Sequence, residues 1–331
     1  MSENRLQDLL EKLGPTLDTL AANANWQIKQ PAIQARKCDV YKVTGANSAF
    51  ALKVYKPGVA SKKAPKIQYD ALGRCNQAAA DQPVLRAPRA LAFLPDEQAI
   101  LMEWQSAPTL RATLWQRLVS PRRQRGLITA AGSWLRAFHN LSDISLQPLD
   151  AGKLIAKLGS QISGKPATMM ALNNDPAFQL AVRIFHKAAA TIRPEVPHAL
   201  LHGDYTPTNL LVDQAGIIGM DMWGARQAPV YEDIARMLAY LGVVSPFALA
   251  TSPLKPQSNL VRAFAEGYGE DMLDPNQSSF LLILLYQQLR RWLVFADRKA
   301  NHPYSALARW QLGQNKRLTH QTLTSLKDCW T

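Results

Sequence analysis

Hydropathy along this chain changes period once, near residues 104 to 108, and that change limits the possible folds more than any other feature. Before it, short apolar segments alternate with polar residues and are cut by turn-forming runs, as strands are. Val40 to Val43 and Ala49 to Tyr55 read as a hairpin joined by Thr44-Gly45-Ala46-Asn47-Ser48. Pro88 to Phe93 and Ala99 to Trp104 read as two further strands. Between these pairs a helix is expected from Lys66 to about Ala80, with Pro65 suited to its first turn. After Pro108 helical periods dominate: Leu110 to Leu118, Gln124 to His139, Pro176 to Ile192, Tyr231 to Leu241, Asn259 to Tyr268, Ser278 to Arg298 and Ser305 to Leu326. One interruption is expected there, a small hairpin of Asn209 to Val212 with Gly216 to Met220. The expectation is an α+β chain of two lobes. Residues 1–104 form a small antiparallel-sheet lobe opened by an extra helix with Leu6, Leu9, Leu10 and Leu13 at helical spacing, and residues 105–331 form a large helical lobe.

Composition narrows the class. With 331 residues, 47% hydrophobic and 19% charged, the chain has the material for a large core, which excludes wholesale disorder. Its longest unbroken apolar run, Phe280 to Tyr286, is far short of the roughly 20 residues that span a bilayer. The N-terminus lacks the apolar core of a signal peptide. Cys38, Cys75 and Cys329 are odd in number and lack CxxC spacing, so neither a disulfide framework nor a zinc site is suggested and a cytoplasmic location is expected. A net charge of +13 suits an anionic partner. Zinc-finger spacing, an RNA-binding sheet motif and a basic region followed by heptads are all missing, so nucleic acid is not expected. Peripheral membrane contact stays open.

Chemistry concentrates in three places. Phe50, Leu52 and Val54 alternate with Ala51, Lys53 and Tyr55, which puts Lys53 on the strand face opposite the large apolar residues. The densest polar cluster, His202-Gly203-Asp204-Tyr205-Thr206-Pro207-Thr208-Asn209, lies between apolar segments and reads as a loop. Asp221 follows Asp204 by 17 positions at the end of a short strand, and the hairpin is expected to bring it near Asn209. An aspartate that accepts a hydroxyl proton, with an Asn/Asp pair of hard oxygen ligands, is what phosphoryl transfer with magnesium requires.

At these residues the chain resembles the aminoglycoside phosphotransferase and choline kinase family, relatives of the protein kinases whose catalytic loop is HGD, four residues, then Asn. Phe50-Ala51-Leu52-Lys53-Val54-Tyr55 looks like the family's lysine strand, Ile100-Leu101-Met102-Glu103-Trp104 like its hinge strand, and Val230-Tyr231-Glu232-Asp233-Ile234-Ala235 like the segment after its metal-binding aspartate. The order and spacing fit from about residue 33 to 241. The resemblance implies a bilobal protein-kinase-like fold and an ATP- and Mg2+-dependent kinase acting on a hydroxyl group of a small molecule. By it, Asp204 would deprotonate the acceptor, Asn209 and Asp221 would hold Mg2+, and Lys53 would contact the α and β phosphates. The backbone at Glu103 and Trp104 would face adenine, while His202 and Asp233 would brace the catalytic loop.

Two positions depart from the family pattern. Gln68 stands where a glutamate normally pairs with the lysine, and Asp70 lies on another helix face. The nucleotide-covering loop, Gln34-Ala35-Arg36-Lys37-Cys38-Asp39, has no glycine, so Arg36 or Lys37 is expected to supply charge there. These departures keep open a nucleotide-binding pseudokinase or scaffold that holds an anionic partner, and the arginine clusters keep open a kinase for a lipid-linked sugar. The charge favours a neutral or anionic hydroxylated metabolite, a sugar or amino alcohol, as acceptor. A polycation would need an acidic patch, for which Glu232, Glu266, Glu270, Asp271 and Asp274 are available, and a choline-like cation an aromatic cage, for which Trp223, Tyr231, Tyr240 and Tyr268 are available. Arg122, Arg123, Arg125, Arg290 and Arg291 read as solvated faces, and His139 as a buried helix-end residue.

Overall fold

A computed structural model describes residues 3–20, 25–28, 31–45, 48–116, 120–164, 168, 172–244, 259–301 and 305–328. The expected turn residues Ala46 and Asn47, Leu118 at the end of an expected helix, and Cys329 lie outside these. The chain divides into two compact units, Met1–Ala107 with Ile218–Ala225, and Pro108–Ile217 with Arg226–Thr331. Among the described residues no helix is long and apolar enough to cross a membrane.

The first unit holds helix α1 (Glu3–Leu20), strands β1 (Gln27–Ile28), β2 (Ile33–Gln34), β3 (Cys38–Gly45) and β4 (Ser48–Tyr55), helix α2 (Ala64–Ala78), and strands β5 (Ala90–Leu94) and β6 (Ala99–Glu103). The sheet runs β1-β3-β4-β6-β5 with β2 added beside β3, every pairing antiparallel. The period-2 pattern of β4 sorts its side chains: Phe50, Leu52 and Val54 join Tyr41, Val43 and Leu101 in a core closed by Leu9, Leu13 and Leu17 of α1. Those three leucines repeat every four residues, so they form one stripe on the helix. On the other face, Tyr55 and Ile100 pack with Ala64 of α2. Lys53, opposite Val40 on β3 and Ile100 on β6, is therefore buried in the middle of the sheet.

The second unit holds helices α3 (Leu110–Trp115) and α4 (Pro121–His139), strand β7 (Ser145–Pro148), helices α5 (Ala151–Ser163) and α6 (Pro176–Thr191), and strands β8 (Glu195–Leu200) and β9 (Leu210–Asp213). After the turn to β10 (Gly216–Gly219) come β11 (Gln227–Pro229) and helices α7 (Tyr231–Val244), α8 (Asn259–Tyr268), α9 (Ser278–Asn301) and α10 (Ala306–Asp328). The helical half contains more strand than its periods indicate. Besides the β9-β10 hairpin there is an antiparallel sheet, β11-β8-β7, which the sequence does not announce. Its middle strand carries Pro197, which lacks a ladder donor and argues against a strand; the Pro197 carbonyl is instead used by Val230 N–H at 2.9 Å. Helix α5 also escapes the sequence reading, because Gly152 and Gly159 weaken its pattern; Asp150 caps it by accepting from Lys153 N–H. The run Phe280–Tyr286 is the fully buried N-terminal part of α9. Helices α4 and α8 cross at glycines: a Cβ on Gly267 would lie 1.9 Å from the Thr129 carbonyl, and one on Gly132 would lie 2.4 Å from that of Phe264.

Candidate active site

In the first unit, three of the expected residues converge. Lys53 Nζ lies 2.6 Å from Asp221 Oδ1 and 2.9 Å from Gln68 Oε1, and Gln68 Nε2 donates to the same Asp221 oxygen at 3.0 Å. Tyr55 OH also bonds Gln68 Oε1. The Gln68 carboxamide thus accepts from a cation and donates to an anion, a bridge that an ionised carboxylate cannot make because it has no donor. Burial works against the charge on Lys53, but Asp221 outweighs it and holds the lysine above its ordinary pKa. Burial pushes the Tyr55 hydroxyl up to about 12, so it stays a donor. Asp221 adopts a left-handed backbone at φ 56°, and its segment is pinned within the unit: Gly219 N–H donates to the Arg86 carbonyl at 2.9 Å, Arg74 donates to the Gly224 carbonyl, and Cys75 and Met222 bring their sulfurs within 3.4 Å. Asp70 faces elsewhere, paired with Lys66 at 2.5 Å.

The other residues expected at the nucleotide are more scattered. Lys37 is exposed, with its ammonium 5.6 Å from the Trp223 ring centre, and Arg36 is exposed beside it. Glu103 ends β6 opposite Phe50, and its N–H donates to the Arg89 carbonyl at 2.9 Å. Trp104 is half-buried, with Lys42 5.1 Å over its ring.

In the second unit the polar cluster is built around Asp233. This buried carboxylate accepts from the backbone N–H of His202 at 2.7 Å and of Gly203 at 3.0 Å, and His139 Nε2 lies 3.4 Å away. Burial opposes its charge, yet His139, His202 and Arg236 hold its pKa below the usual carboxylate range. Gly203 turns the chain with φ 85°, a conformation that a side chain disfavours. Below the loop, His202 packs in an aromatic box of Trp134, Phe138 and Tyr205, with Tyr205 OH bonded to the Ala131 carbonyl at 2.5 Å. Asp204 follows, half-exposed. Arg236 pairs with its Oδ1 at 2.9 Å, while Asn209 Nδ2 donates to its Oδ2 at 3.0 Å and to its carbonyl at 2.9 Å. Asp204 forms part of the wall of a cavity of about 540 Å³ that also meets Arg236, Tyr240, Arg290, Arg291 and Arg298.

Residues 35–276 match the model of the phosphotransferase enzyme family, APH. The chain belongs to that family. No curated protein sequence matches it. Among solved structures it is similar to the choline kinase LicA of Streptococcus pneumoniae, with 14% identity, 97% of this chain and 100% of that chain covered, and a TM-score of 0.58. It is also similar to an ethanolamine kinase of Plasmodium vivax (13% identity, 99% and 90% covered, TM-score 0.59) and to spectinomycin phosphotransferase in complex with ADP and spectinomycin (17% identity, 98% and 94% covered, TM-score 0.55). The fold is that of the bilobal protein-kinase-like phosphotransferases, and the chain is a phosphotransferase.

The phosphotransferase differs from its sequence reading in how charge is placed. Arg290 and Arg291 are not solvated faces: both are half-buried and meet the cavity, whereas Arg122, Arg123 and Arg125 are exposed as expected. The supposed acidic patch is dispersed into ion pairs. Glu232 is buried and held by the Arg226 fork at 3.2 and 2.6 Å, Glu266 pairs with Arg125, and Asp271 with Arg136. The aromatic residues form no cage. Arg291 covers Tyr240 at 4.2 Å, Tyr231 OH bonds Gln277 at 2.6 Å, Tyr268 OH bonds His139 Nδ1 at 2.8 Å, and Trp223 belongs to the other unit. His139 is a buried helix-end residue, and its contact with Asp233 is a role that its place in the sequence does not reveal.

Proposed function

We propose that this phosphotransferase is an ATP- and Mg2+-dependent kinase that transfers the γ-phosphoryl group to a hydroxyl of a small metabolite. The observation that carries this reading is Asp204, fixed between Arg236 and Asn209 at the wall of a cavity. In it, the Asp204 carboxylate takes the acceptor's proton as the hydroxyl oxygen forms its bond to the γ-phosphorus; the bond to the β–γ bridging oxygen breaks, and ADP leaves with that electron pair. Lys53, with Arg36 and Lys37, offsets phosphate charge, the backbone at Glu103 and Trp104 faces adenine, and Asp233 and His202 hold the loop that carries the base.

In this reading Asn209 and Asp221 would hold Mg2+, and each taken singly has the oxygen chemistry that the ion prefers. Asn209 spends its Nδ2 hydrogens on Asp204, which leaves its Oδ1 as a hard oxygen, and Asp221 supplies a carboxylate. When bound, the ion supplies positive charge that offsets the nucleotide's β and γ phosphates. Gln68, the departure that most favours a scaffold, bonds Lys53 directly and so supports the catalytic reading.

Magnesium-dependent ADP release across a panel of hydroxylated metabolites, with Asp204→Ala beside the unmodified chain, tests the proposal. The expected result is substrate-stimulated release that falls by orders of magnitude in the variant while nucleotide binding persists. Equal release from both proteins would overturn the assignment.

A further inference from the structure

The cavity beside Asp204 carries a positive charge that the described residues around it do not neutralise. Its wall includes four arginines, Arg236, Arg290, Arg291 and Arg298, against the single carboxylate of Asp204, which pairs with Arg236. Among the described residues no carboxylate is paired with the other three. Arg290 donates to two neutral side chains, to Gln161 Oε1 at 3.2 Å and to Gln287 Oε1 at 3.1 Å. Arg291 Cζ lies over the Tyr240 ring, 4.2 Å from its centre, and 5.7 Å from that of Phe295, and Arg298 lies 5.9 Å from the same phenyl ring. These contacts hold the guanidinium groups in place without cancelling their charge.

Half-buried like charges in one concave wall are unfavourable unless a ligand completes them. Burial pushes Arg291 down to about 10, and burial together with the neighbouring Arg236 lowers Arg290. Planar guanidinium forks match carboxylate and phosphate oxygens. Thr206, Thr208 and Ser160 add hydroxyl donors to the same wall. Along α9, Arg290 and Arg298 are eight residues apart, which is about 12 Å of helix, so the charge extends well beyond the point where a hydroxyl meets Asp204.

We infer that Arg290, Arg291 and Arg298 form an oxyanion subsite, and that the acceptor is a small hydroxylated metabolite already carrying a carboxylate or a phosphate monoester. This rests on the kinase reading above and narrows it: polycations are repelled, and a quaternary ammonium group finds the Tyr240 face occupied by Arg291.

The test uses the full chain with ATP and Mg2+ and matched acceptors: glycerol, glycerate and glycerol phosphate, and a hexose with its hexonate and hexose phosphate. At least one anionic member is expected to exceed its neutral partner by about 100-fold in kcat/KM. Whether carboxylate or phosphate gains tells which oxyanion the site takes. In Arg290→Gln, Arg291→Gln and the more exposed Arg298→Gln the preference is expected to shrink, mainly through KM, and the exposed position protects the test against misfolding of the other two. A neutral or polycationic acceptor preferred in an Asp204-dependent reaction would leave the kinase reading intact and overturn this one; turnover unchanged by Asp204→Ala would remove the kinase reading itself. Should no acceptor turn over, titration calorimetry with the same anions and inorganic phosphate, in the presence of AMP-PNP and Mg2+, decides. Binding weakened at least 10-fold by Arg298→Gln supports the subsite, and no binding by any anion refutes it.

Discussion

Replacing Gln68 by glutamate restores the residue found in the family pattern, yet the structure predicts that it weakens this protein. The Gln68 amide has Lys53 Nζ at 2.9 Å on its oxygen and Asp221 Oδ1 at 3.0 Å on its nitrogen. An introduced carboxylate would gain attraction to Lys53 and suffer repulsion from Asp221 at nearly equal distances. Each amounts to at most about 5–6 kcal/mol at an effective dielectric of 20, so the two largely cancel. The Asp221 side chain is 47% exposed, and water screens both further. What does not cancel is the lost donor bond to Asp221 and the cost of placing a charge where Gln68 is buried, together about 1–3 kcal/mol. Burial raises the carboxyl's folded pKa above its unfolded value near 4.3, so the penalty is full at pH 8, fades as pH falls through the raised value and is gone below about 4.3. Gln68→Leu, which cannot ionise, should instead be destabilised equally at both pH values. Urea unfolding followed by circular dichroism at pH 8 and pH 5, on both variants and the unmodified chain, measures this. A Gln68→Glu protein as stable as the unmodified one at pH 8 would refute the bridging argument.

Further outcomes follow from other contacts. Asp233→Asn turns an amide toward the N–H groups of His202 and Gly203 and should cost about 2–4 kcal/mol in urea unfolding, with kcat reduced more than nucleotide affinity. Glu232 is held below its ordinary pKa, so burial notwithstanding the Arg226 pair contributes stability above the unfolded carboxyl pKa that is lost as pH falls through the folded one. Arg226→Met should therefore lower stability by about 1–3 kcal/mol at pH 7 and flatten the loss in acid, as melting curves between pH 3 and 7 would show. Gly267→Ala drives a methyl group into the Thr129 carbonyl and should destabilise by about 3 kcal/mol, whereas the same change at Gly159, with open space around it, should not.

How much of this was legible in the sequence depends on the range of each signal. The alternation around Lys53 is local, and it placed the lysine on the face that α2 covers. The α1 stripe was equally readable. Strand β8 was not, because Pro197 contradicts its neighbours and the strand is held by β7 and β11, distant in sequence. The Asp204 loop stood out as a polar cluster between apolar segments. Its electrostatic surroundings did not: Arg236 and the α9 arginines lie far along the chain, and in a row of apolar residues nothing distinguishes an arginine that faces a cavity from one that faces water. Gln68 was visible as a departure, but its use as a two-way bridge requires knowing that Asp221 is packed within the same unit.

Asp233 holds the Asp204 loop through peptide groups, the N–H of His202 and of Gly203. A carboxylate that reads amide hydrogens depends on the chain path that presents them, so the anchor constrains this stretch through backbone conformation, as the left-handed turn at Gly203 shows. Selection can therefore revise the arginines along α9 without touching the contacts that hold Asp233 to this loop. On the proposed reading, acceptor choice and the placement of the base are then separate inheritances, and a change of substrate need not pass through an inactive ancestor.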